Sequence, residues 1–493
     1  MMLSKSEYML YLRHPAWLWI KKHAKHLMPP IDEALQARFD EGNAFEPFVE
    51  SLFPDLIRVG FESYSEYLDM PEKTTEAWKN RAEVVSQGRY EYDSITCISD
   101  LVRRDGDGFI LTEIKSSTSA KTDHALDLAF QKIVLEGAGL PVKRCEVAHV
   151  NNGYIRHGDI DPRQIVSFAD ITTEVENLLE GTKSRIDQAL IVSRSHDMPD
   201  PAPERARLKS YKDWLGIRQT ISPPLPENSI YFLPYMDAEY SSKLIEMGIS
   251  KEDEIMDLTV LKKSTRKYLM AKAEGVRSVD KDRLATFLSD ISYPIHFFDY
   301  EASQSLLPYW DGTRPYQQIP VQYSLHIIRS PDGEIEHREY LHKDTSNPMP
   351  SLIRSLRENV EDSGSILVWS ESYEKKRNNE MAESYPGEAE FLTAFNERVI
   401  DLMKPFTQDM VRDSAFMGSS SIKKVLPAMV ADFSYEGLGI QDGSTATRRW
   451  QEATFGETSA GECEKIYRDL VEYCQLDTMA MVEIHKKLLE LST

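Results

Sequence analysis

Two acidic residues and a lysine lie close together in the stretch Ile98–Ser116, which reads ISDLVRRDGDGFILTEIKS. The Asp-Gly pairs in its middle tolerate positive φ and predict a tight turn between two strands. Residues two apart on a strand project to one face, so Glu113 and Lys115 lie side by side, and a twisted hairpin brings Asp100 up beside them. This group predicts a Mg²⁺ or Mn²⁺ site whose lysine orients a water or steadies a scissile phosphate. Spacing alone leaves an ordinary exposed hairpin with acidic turns as the alternative.

A second set of acidic residues is spread over the C-terminal part of the chain. Asp299 and Glu301 share one face of a strand with apolar neighbours, and burying such a pair is costly unless a cation lies there. Tyr473 and Asp477 are four residues apart and share one face of an otherwise apolar helix. Glu374 completes a group suited to two-metal phosphodiester hydrolysis, with the tyrosine orienting the water. Each motif by itself also occurs by chance, and a structural role is the alternative.

Composition limits the classes of protein that this chain can represent. Its 493 residues suffice for two or three domains, and no window approaches the roughly 18 to 20 apolar residues that span a bilayer. We expect no signal peptide, and four cysteines without a CxxC pair favour a reducing cytoplasm over structural zinc or disulfides. The formal charge of −22 argues against a general nucleic-acid coat protein but leaves a nuclease open, since metal-binding carboxylates add to the negative count.

The predicted elements divide the chain into three parts. Residues 1–165 predict an α/β domain with a central sheet flanked by helices. Residues 166–290 are mostly helical, contain the Pro-rich stretches MPDPAPE and ISPPLPENS, and are interpreted as a connector. The elements predicted for these two parts are helices at Lys5–His26, Asp32–Leu52, Asp123–Gly137, Thr172–Val192, Ser241–Met247 and Leu258–Glu274 and a strand at Arg144–Val150.

Residues 291–493 begin with strands and continue with alternating helices and a further strand, which is an RNase H-like order. The predicted strands are Ile295–Ala302, Val321–Arg329, Glu336–Leu341 and Ser365–Trp369. The predicted helices are Met349–Val360, Tyr373–Glu383, Glu388–Met403 and Cys463–Leu491. The third part is therefore predicted to be a mixed sheet with flanking helices.

The N-terminal part resembles the RecB-like branch of the PD-(D/E)xK nucleases, which includes CRISPR-associated exonucleases. Asp100 with the Glu113 and Lys115 pair matches the core motif. Gln131 matches a glutamine on the downstream helix, and Glu46 matches an acidic position on the preceding helix. The resemblance implies a restriction-endonuclease-like αβα fold in which Glu46, Asp100 and Glu113 hold the metal. Lys115 would position the nucleophilic water, and Gln131 would support Lys115 or the phosphate.

This resemblance covers roughly residues 3–160 and has two departures. Leu135 stands where the family has a tyrosine after the glutamine. Many relatives bind an iron–sulfur cluster through a cysteine before a proline and three later cysteines. Here His14 precedes Pro15, and the connector after Val192 holds no cysteine, so no cluster is expected.

The C-terminal part resembles the DnaQ-like DEDD 3′–5′ exonucleases, in the variant with a tyrosine in the third motif. Asp299 and Glu301 match motif one, and Tyr473 with Asp477 matches motif three. The resemblance implies an RNase H-like fold whose acids, with Glu374, hold two Mg²⁺ or Mn²⁺ ions. Tyr473 would then orient the water for cleavage at a 3′ end.

Motif two departs from this family, where it usually reads Asn-x-x-Phe-Asp. Ser370 replaces the Asn and Glu374 replaces the Asp, with Asp401 as the reserve candidate for the acid. The fusion of both domains resembles an uncharacterised bacterial family whose members share phrases close to FFDYEA, GSSSIKKVLP and YCQLDT. GSSSIKK is interpreted either as a simple Ser-capped helix start or as a helix N-terminus that meets a phosphate.

Together these resemblances imply a metal-dependent nuclease with two centres, acting on DNA in preference to RNA, with an exonuclease favoured. The competing class is a nucleic-acid-binding or scaffold protein in which one or both centres are degenerate, since motif two is altered and Leu135 replaces a tyrosine. A defence or toxin nuclease with a protein partner is a third possibility. We expect Mg²⁺ or Mn²⁺ as cofactor, a cytoplasmic location and no membrane partner.

Overall fold

Two units make up the chain, one at Met1–Met256 and the other at Asp257–Thr493. The computed structural model describes residues 2–30, 33–275, 277–430, 433, 435 and 437–493. Both units combine helices with a sheet, so the α/β fold class predicted from the sequence is confirmed. The range 166–290, predicted to be one connector, divides at Met256 and contributes helices to both units.

The first unit is built around one sheet in the order β2-β3-β4-β5-β6-β7, with β1 beside β4. Its described strands are β1 (Leu3–Ser4), β2 (Leu56–Arg58), β3 (Val84–Tyr92), β4 (Ile95–Asp105), β5 (Gly108–Lys115), β6 (Val142–Val150) and β7 (Val166–Asp170). Its described helices are α1 (Lys5–Arg13), α2 (Pro15–His23), α3 (Glu33–Glu50), α4 (Tyr64–Lys79), α5 (Thr122–Gly137), α6 (Pro162–Ile165), α7 (Thr172–Arg194), α8 (Tyr211–Thr220) and α9 (Ala238–Glu246).

The hairpin predicted at Ile98–Ser116 is formed by the antiparallel strands β4 and β5. Asp105 pairs with Gly108, and Gly106 adopts the positive φ of +59° that the two-residue turn requires. β5 then runs parallel to β6, and α5 is the helix of the crossover between them. The carboxyl end of β5 therefore leads towards the helix that carries Gln131.

The single helix predicted at Lys5–His26 is wrong, because the chain leaves the helical conformation at His14. His14 is extended, with φ at −163°, and Pro15 begins α2. Proline lacks an N–H and disfavours a helical conformation in the residue before it, which separates α1 from α2. The predicted start of the next helix, Asp32, lies outside the described residues, and α3 is described from Glu33.

His14 then takes part in the core of the first unit. It is fully buried and stacks on Trp214, with ring centroids 3.9 Å apart. Its Nδ1 accepts a hydrogen bond from the Ala16 amide, and the Trp214 indole donates to the Pro201 carbonyl, both at 3.1 Å. The stack therefore joins α8 to the N-terminal helices.

We expect Trp214→Ala to lower the free energy of unfolding of the first unit by about 3–5 kcal/mol, the usual cost of removing a buried aromatic side chain. Urea unfolding followed by circular dichroism measures this change. The control is Tyr64→Ala, at a side chain that is 76% exposed, and its effect should stay below about 0.5 kcal/mol. Equal effects of the two substitutions would contradict the assignment of Trp214 to the core.

The second unit contains a sheet in the order β11-β10-β9-β12-β13 and the short pair β14-β8. Its described strands are β8 (Ser278–Val279), β9 (Ile295–Ser303), β10 (Ile319–Ile328), β11 (Ile335–Leu341), β12 (Ser365–Val368), β13 (Val399–Asp401) and β14 (Val411–Arg412). Its described helices are α10 (Lys263–Glu274), α11 (Lys281–Ser289), α12 (Pro348–Asn359), α13 (Glu371–Ser384), α14 (Ala389–Glu397), α15 (Lys404–Thr407), α16 (Ile422–Met429), α17 (Gly443–Phe455) and α18 (Ala460–Ser492).

β9 lies at the centre of this sheet, antiparallel to β10 and parallel to β12. Its alternate side chains enter two different cores. Phe297 packs in the core that contains residues of α18, and Phe298 packs in the core that contains residues of α12 and α14. Helices therefore cover both faces of β9, and its apolar residues are buried on both sides.

The helix predicted at Glu388–Met403 is wrong over its second half. α14 ends at Glu397, and Val399–Asp401 forms β13, which pairs with β12. A strand this short has no period of its own, and its pairing with β12 is decided by the tertiary fold. The sequence analysis also missed β2, β3, β7 and α4, although Ser63 and Glu66 form a capping box at the start of α4.

The longest described helix, α18, has 33 residues and buries one side against β9 and β10. Its other side carries charged residues, as an amphipathic helix on a sheet does. In the part of the chain that the structure describes, none of the helices combines the length and the apolar character that crossing a bilayer requires.

Candidate metal centres

The second acidic set lies where β9 faces α18. Because alternate residues of a strand share a face, Asp299 and Glu301 follow Phe297 on the side of the sheet that α18 covers. α18 contributes Asp477 from its buried side. Glu374 comes from the first turn of α13, directly after β12, the parallel neighbour of β9. Three elements that are distant in sequence therefore bring four acids to one edge of the sheet.

The four carboxyl groups converge closely. One oxygen from each of Asp299, Glu301 and Asp477 lies within 4.8 Å of the other two. The Asp299 and Glu374 carboxyl groups are close enough for the charge of Glu374 to raise the pKa of Asp299. Glu374 is 1% exposed, and its Oε2 has no hydrogen-bond partner within the described residues. Across the described ranges, no other three His, Cys, Asp or Glu side chains meet this spacing.

Burial raises the pKa of all four carboxyl groups, and the charge of a neighbouring carboxylate adds to the rise for Asp299, Glu301 and Glu374. Burial and the Asp477 charge raise the pKa of Glu301 to about 8, and burial raises the pKa of Asp477 to about 6. Burial and the charge of Glu374 raise the pKa of Asp299 well above its usual range. Burial and the charge of Glu301 raise the pKa of Glu374 well above its usual range. Full ionisation of this group at neutral pH is costly without a cation.

The donors of this group are all carboxylate oxygens, which are the ligands that Mg²⁺ and Mn²⁺ prefer. Glu374 Oε2, which is buried and has no hydrogen-bond partner within the described residues, is one such potential metal ligand. The residues fit a divalent cation, and Asp299, Glu301, Glu374 and Asp477 would hold it. These are the acids that the sequence analysis named for this role.

A cavity of about 260 Å³ opens beside the acids. Tyr473 lines this cavity, one helical turn before Asp477 on α18. Tyr435 donates its O–H to Asp477 Oδ1, at 2.5 Å. Sequence reasoning missed Tyr435, since no local pattern marks it. Lys423 also lines the cavity, and it belongs to the GSSSIKK segment whose role the sequence left open.

Asp401, the reserve candidate for motif two, has a different role. It ends β13, and its Oδ1 accepts hydrogen bonds from the backbone amides of Ser370 at 3.0 Å and Met403 at 2.9 Å. Ser370 has a φ of +86°, so this carboxylate stabilises the strained turn that begins α13. Of the two candidates for motif two, Glu374 lies beside Asp299, whereas the Asp401 carboxylate is used by backbone amides.

In the first unit, Glu113 is the centre of the predicted site and is 1% exposed. Its Oε1 accepts from Lys115 at 2.5 Å and from Lys5 at 3.1 Å, and its Oε2 accepts from Gln131 at 2.5 Å. Asp100 lies on the neighbouring strand, where its Oδ2 accepts from a backbone amide of β5 at 2.8 Å. The hairpin and α5 thus bring Asp100, Glu113, Lys115 and Gln131 together.

Two residues that sequence reasoning missed complete this group. Lys5 Nζ lies 3.4 Å from Asp127 Oδ1, and Gln131 donates to the same oxygen at 2.8 Å. Asp127 stands one helical turn before Gln131, a spacing that could have identified it. Lys5 is distant in sequence from its partners, and only the pairing of β1 with β4 places the start of α1 at the site.

The charges of the first group are partly balanced by its lysines. Burial and the charge of Glu113 raise the pKa of Asp100 to about 7 and that of Asp127 to about 6. Burial by itself would raise the pKa of Glu113, but Lys115 and Lys5 lower it well below its usual range. The two ammonium groups therefore hold Glu113 in its ionised form.

Glu46, the third ligand predicted for the first group, is held by other side chains. Its Oε1 accepts a hydrogen bond from Gln87 at 2.5 Å and lies 3.3 Å from Arg58. Arg58 and Gln87 thus offer it a charge and an amide on the adjacent strands β2 and β3. Glu46 as a third ligand stays a prediction.

We expect Lys5→Ala to lower the free energy of unfolding of the metal-free first unit by about 3 kcal/mol, because the buried Glu113 and Asp127 lose one of their two counter-ions and keep only Lys115. Added Mn²⁺ should recover more stability in this variant than in the wild type. Urea unfolding with EDTA and with Mn²⁺ tests both statements. Lys25→Ala, at an exposed position, is the matched control. A Lys5→Ala variant as stable as this control would contradict the pairing.

Comparison with known proteins gives two matches. Residues 296–421 match a family model described as a domain of unknown function, DUF2779. This range includes Asp299, Glu301 and Glu374 and ends before α18. The chain is also 27% identical over 208 residues to the uncharacterized protein MG366 of Mycoplasma genitalium. That match covers 38% of this chain and 31% of the relative, so it spans less than a third of the relative's length.

Proposed function

We propose that this protein is a metal-dependent nuclease that hydrolyses phosphodiester bonds, preferentially in DNA, and that its second unit removes nucleotides from 3′ ends. The observation that carries the proposal is the convergence of Asp299, Glu301 and Asp477 on one cavity, with the buried Glu374 beside Asp299. Four clustered acids, two of them buried and two half-buried, are expensive to maintain in a fold when few cations balance them. A divalent cation bound by these carboxylates would offset that cost.

The topology of the second unit supports the same class. If the five strands of the large sheet are numbered along the chain, their order in the sheet is 3-2-1-4-5. The second strand, β10, is antiparallel to the first, β9, and the fourth, β12, is parallel to it. This is the order of an RNase H-like sheet, the fold that the DEDD resemblance implies. The acids lie on its central strand and on the helices that flank it, as expected for such a site.

The proposed chemistry assigns a task to each group. Cations held by the four acids would activate a water and stabilise the leaving 3′ oxygen. Tyr473, next to Asp477, orients that water through its O–H. The cavity of about 260 Å³ is large enough for a terminal phosphate and part of a sugar.

The first unit is proposed to be a PD-(D/E)xK centre in a restriction-endonuclease-like αβα fold. Its supporting observation is that Asp100, Glu113, Lys115 and Gln131 lie together although they come from two strands and a helix. Asp100 and Glu113 would hold Mg²⁺ or Mn²⁺. Lys115 would position the water, and Gln131 keeps the Glu113 carboxylate oriented.

The test is hydrolysis by the full chain of single- and double-stranded DNA and RNA labelled at either end, with Mg²⁺, Mn²⁺ or EDTA. We expect stepwise loss of nucleotides from the 3′ end with either metal and none with EDTA. A protein that degrades none of these substrates would overturn the proposal.

Two variants separate the centres. Asp477→Asn should remove the stepwise 3′ activity, and Lys115→Ala should remove the activity of the first centre. If one variant alone changes hydrolysis, the other unit is a recognition module, which is the scaffold alternative for that unit. Hydrolysis that survives both substitutions would have to come from a contaminating nuclease.

A further inference from the structure

Lys423, in the first turn of α16, lines the cavity beside the four acids. Its Nζ lies 5.7 Å from the ring centroids of both Tyr435 and Tyr473, the two tyrosines beside Asp477. The same Nζ donates to the Gln441 carbonyl at 2.5 Å, just before α17 begins. Two ring faces and one carbonyl therefore hold this ammonium beside the cavity.

The surroundings of Lys423 leave it able to bind a ligand. An ammonium group has three N–H donors, and Gln441 takes one of them. Burial raises the pKa of Glu301 and Asp477, and the Lys423 charge opposes both shifts, so its field reaches the acids. Ser421 occupies the N-cap position, but its side chain makes no capping hydrogen bond within the described residues. A simple Ser cap therefore does not account for the GSSSIKK segment.

We propose that Lys423 binds the scissile phosphate in the second unit and stabilises the charge on a non-bridging oxygen, an inference that rests on the proposed nuclease function. In this reaction the water oxygen bonds to phosphorus, its proton passes to solvent, and the P–O3′ bond breaks. The electron pair of that bond stays with the 3′ oxygen, which takes up a proton. The released product is a nucleoside 5′-monophosphate.

Electrostatics gives the reason for a fixed cation at this position. The acids around the cavity repel a phosphodiester, and further negative charge collects on its oxygens as the bond to water forms. A positioned ammonium offsets both effects without reorganisation during the reaction. The two tyrosine rings restrict the flexible lysine side chain, so less entropy is lost when it binds the phosphate.

The experiment compares Lys423→Met, which keeps most of the side-chain length, with Lys423→Arg, which keeps the charge. Lys424→Ala, at the exposed neighbour on the same helix, is the matched control. Hydrolysis of a 3′-labelled oligonucleotide gives kcat and KM. Calorimetry gives the affinities for Mn²⁺ alone and for thymidine 5′-monophosphate added to the Mn²⁺-loaded protein.

We expect Lys423→Met to lower kcat/KM by about 10²-fold and to weaken binding of the monophosphate by about tenfold. Its Mn²⁺ affinity should be unchanged or tighter, because a positive charge has been removed from beside the acids. Lys423→Arg should recover part of both losses, and Lys424→Ala should match the wild type.

If Lys423→Met binds the monophosphate as the wild type does, the residue is only a counter-ion of the acids and the proposal is overturned. A wild type that hydrolyses no nucleic acid would contradict the proposed function. The affinity for the monophosphate would then show by itself whether Lys423 binds a phosphate. Weaker binding in Lys423→Met supports the phosphate site in that case. A wild type that binds no monophosphate overturns it.

Discussion

Replacing Asp477 with asparagine is expected to abolish metal-dependent hydrolysis at 3′ ends and to stabilise the metal-free second unit. Loss of a group that only supports a metal ligand costs about 10- to 100-fold in activity. Loss of a ligand itself should cost about 10³-fold or more. Asparagine keeps the shape and the acceptor for Tyr435 but removes a charge that raises the pKa of Glu301. We expect the metal-free protein to gain on the order of 1–2 kcal/mol at pH 8.

The two effects of Asp477→Asn have opposite signs, which separates a functional acid from a structural one. The matched control is Glu472→Gln, the same chemical change at an exposed position of α18. It should alter neither hydrolysis nor stability. Single-turnover hydrolysis and urea unfolding in EDTA measure the two quantities. An Asp477→Asn protein that is less stable than the wild type and equally active would show that Asp477 serves packing alone.

The stability of the metal-free second unit is expected to fall as the pH rises from about 5 to about 8. Glu301 has an ordinary pKa of 4.5, and burial and Asp477 raise it to about 8 in the folded chain. The folded form therefore binds a proton that the unfolded form has lost. This contribution is complete below the ordinary pKa and disappears as the pH passes the folded value, at up to about 1.4 kcal/mol per pH unit for each such group.

Mn²⁺ should reverse this trend, since it replaces the bound protons and binds more tightly as the acids ionise. Unfolding at pH 5, 6, 7 and 8, with EDTA and with Mn²⁺, measures the effect. Burial also raises the pKa of Asp100 and Asp127 in the first unit, to about 7 and about 6, so these groups contribute over the same pH range. The contribution of Glu301 is therefore obtained by subtracting the pH dependence of the free energy of unfolding of Glu301→Gln from that of the wild type. Stability that is flat or rises with pH in EDTA would contradict the prediction.

The two centres differ in how their charge is balanced. In the first, Lys5 and Lys115 contact Glu113 directly, so the group is close to neutral without a metal. In the second, Lys423 contacts ring faces and a carbonyl, and the acids repel one another. We therefore expect added Mn²⁺ to stabilise the second unit more than the first.

Much of the site was predictable from sequence because local periodicity determines which side chains share a face. The strand spacing of Asp299 and Glu301 and the helical spacing of Tyr473 and Asp477 each predict a pair, and both pairs are formed. The Asp-Gly turn likewise predicts the hairpin that brings Asp100 to Glu113. These features depend on a few consecutive residues, for which backbone geometry is sufficient.

Other members of the two groups depended on contacts between distant segments. Lys5 joins Glu113 because β1 pairs with β4, and Tyr435 joins Asp477 from a segment with no regular pattern. Glu46 matched a motif, and only the tertiary structure gives it Arg58 and Gln87 as partners.

The sequence by itself determined which acids pair along each strand and helix, because the 2.0 and 3.6 residue periods act locally. The tertiary structure alone decided which pairs meet and which cation balances them. Glu374 rather than Asp401 joins Asp299, because the turn at Ser370 uses the Asp401 carboxylate to satisfy a backbone amide. Such choices follow from the burial of groups that must find partners once water is removed, and no local pattern records them.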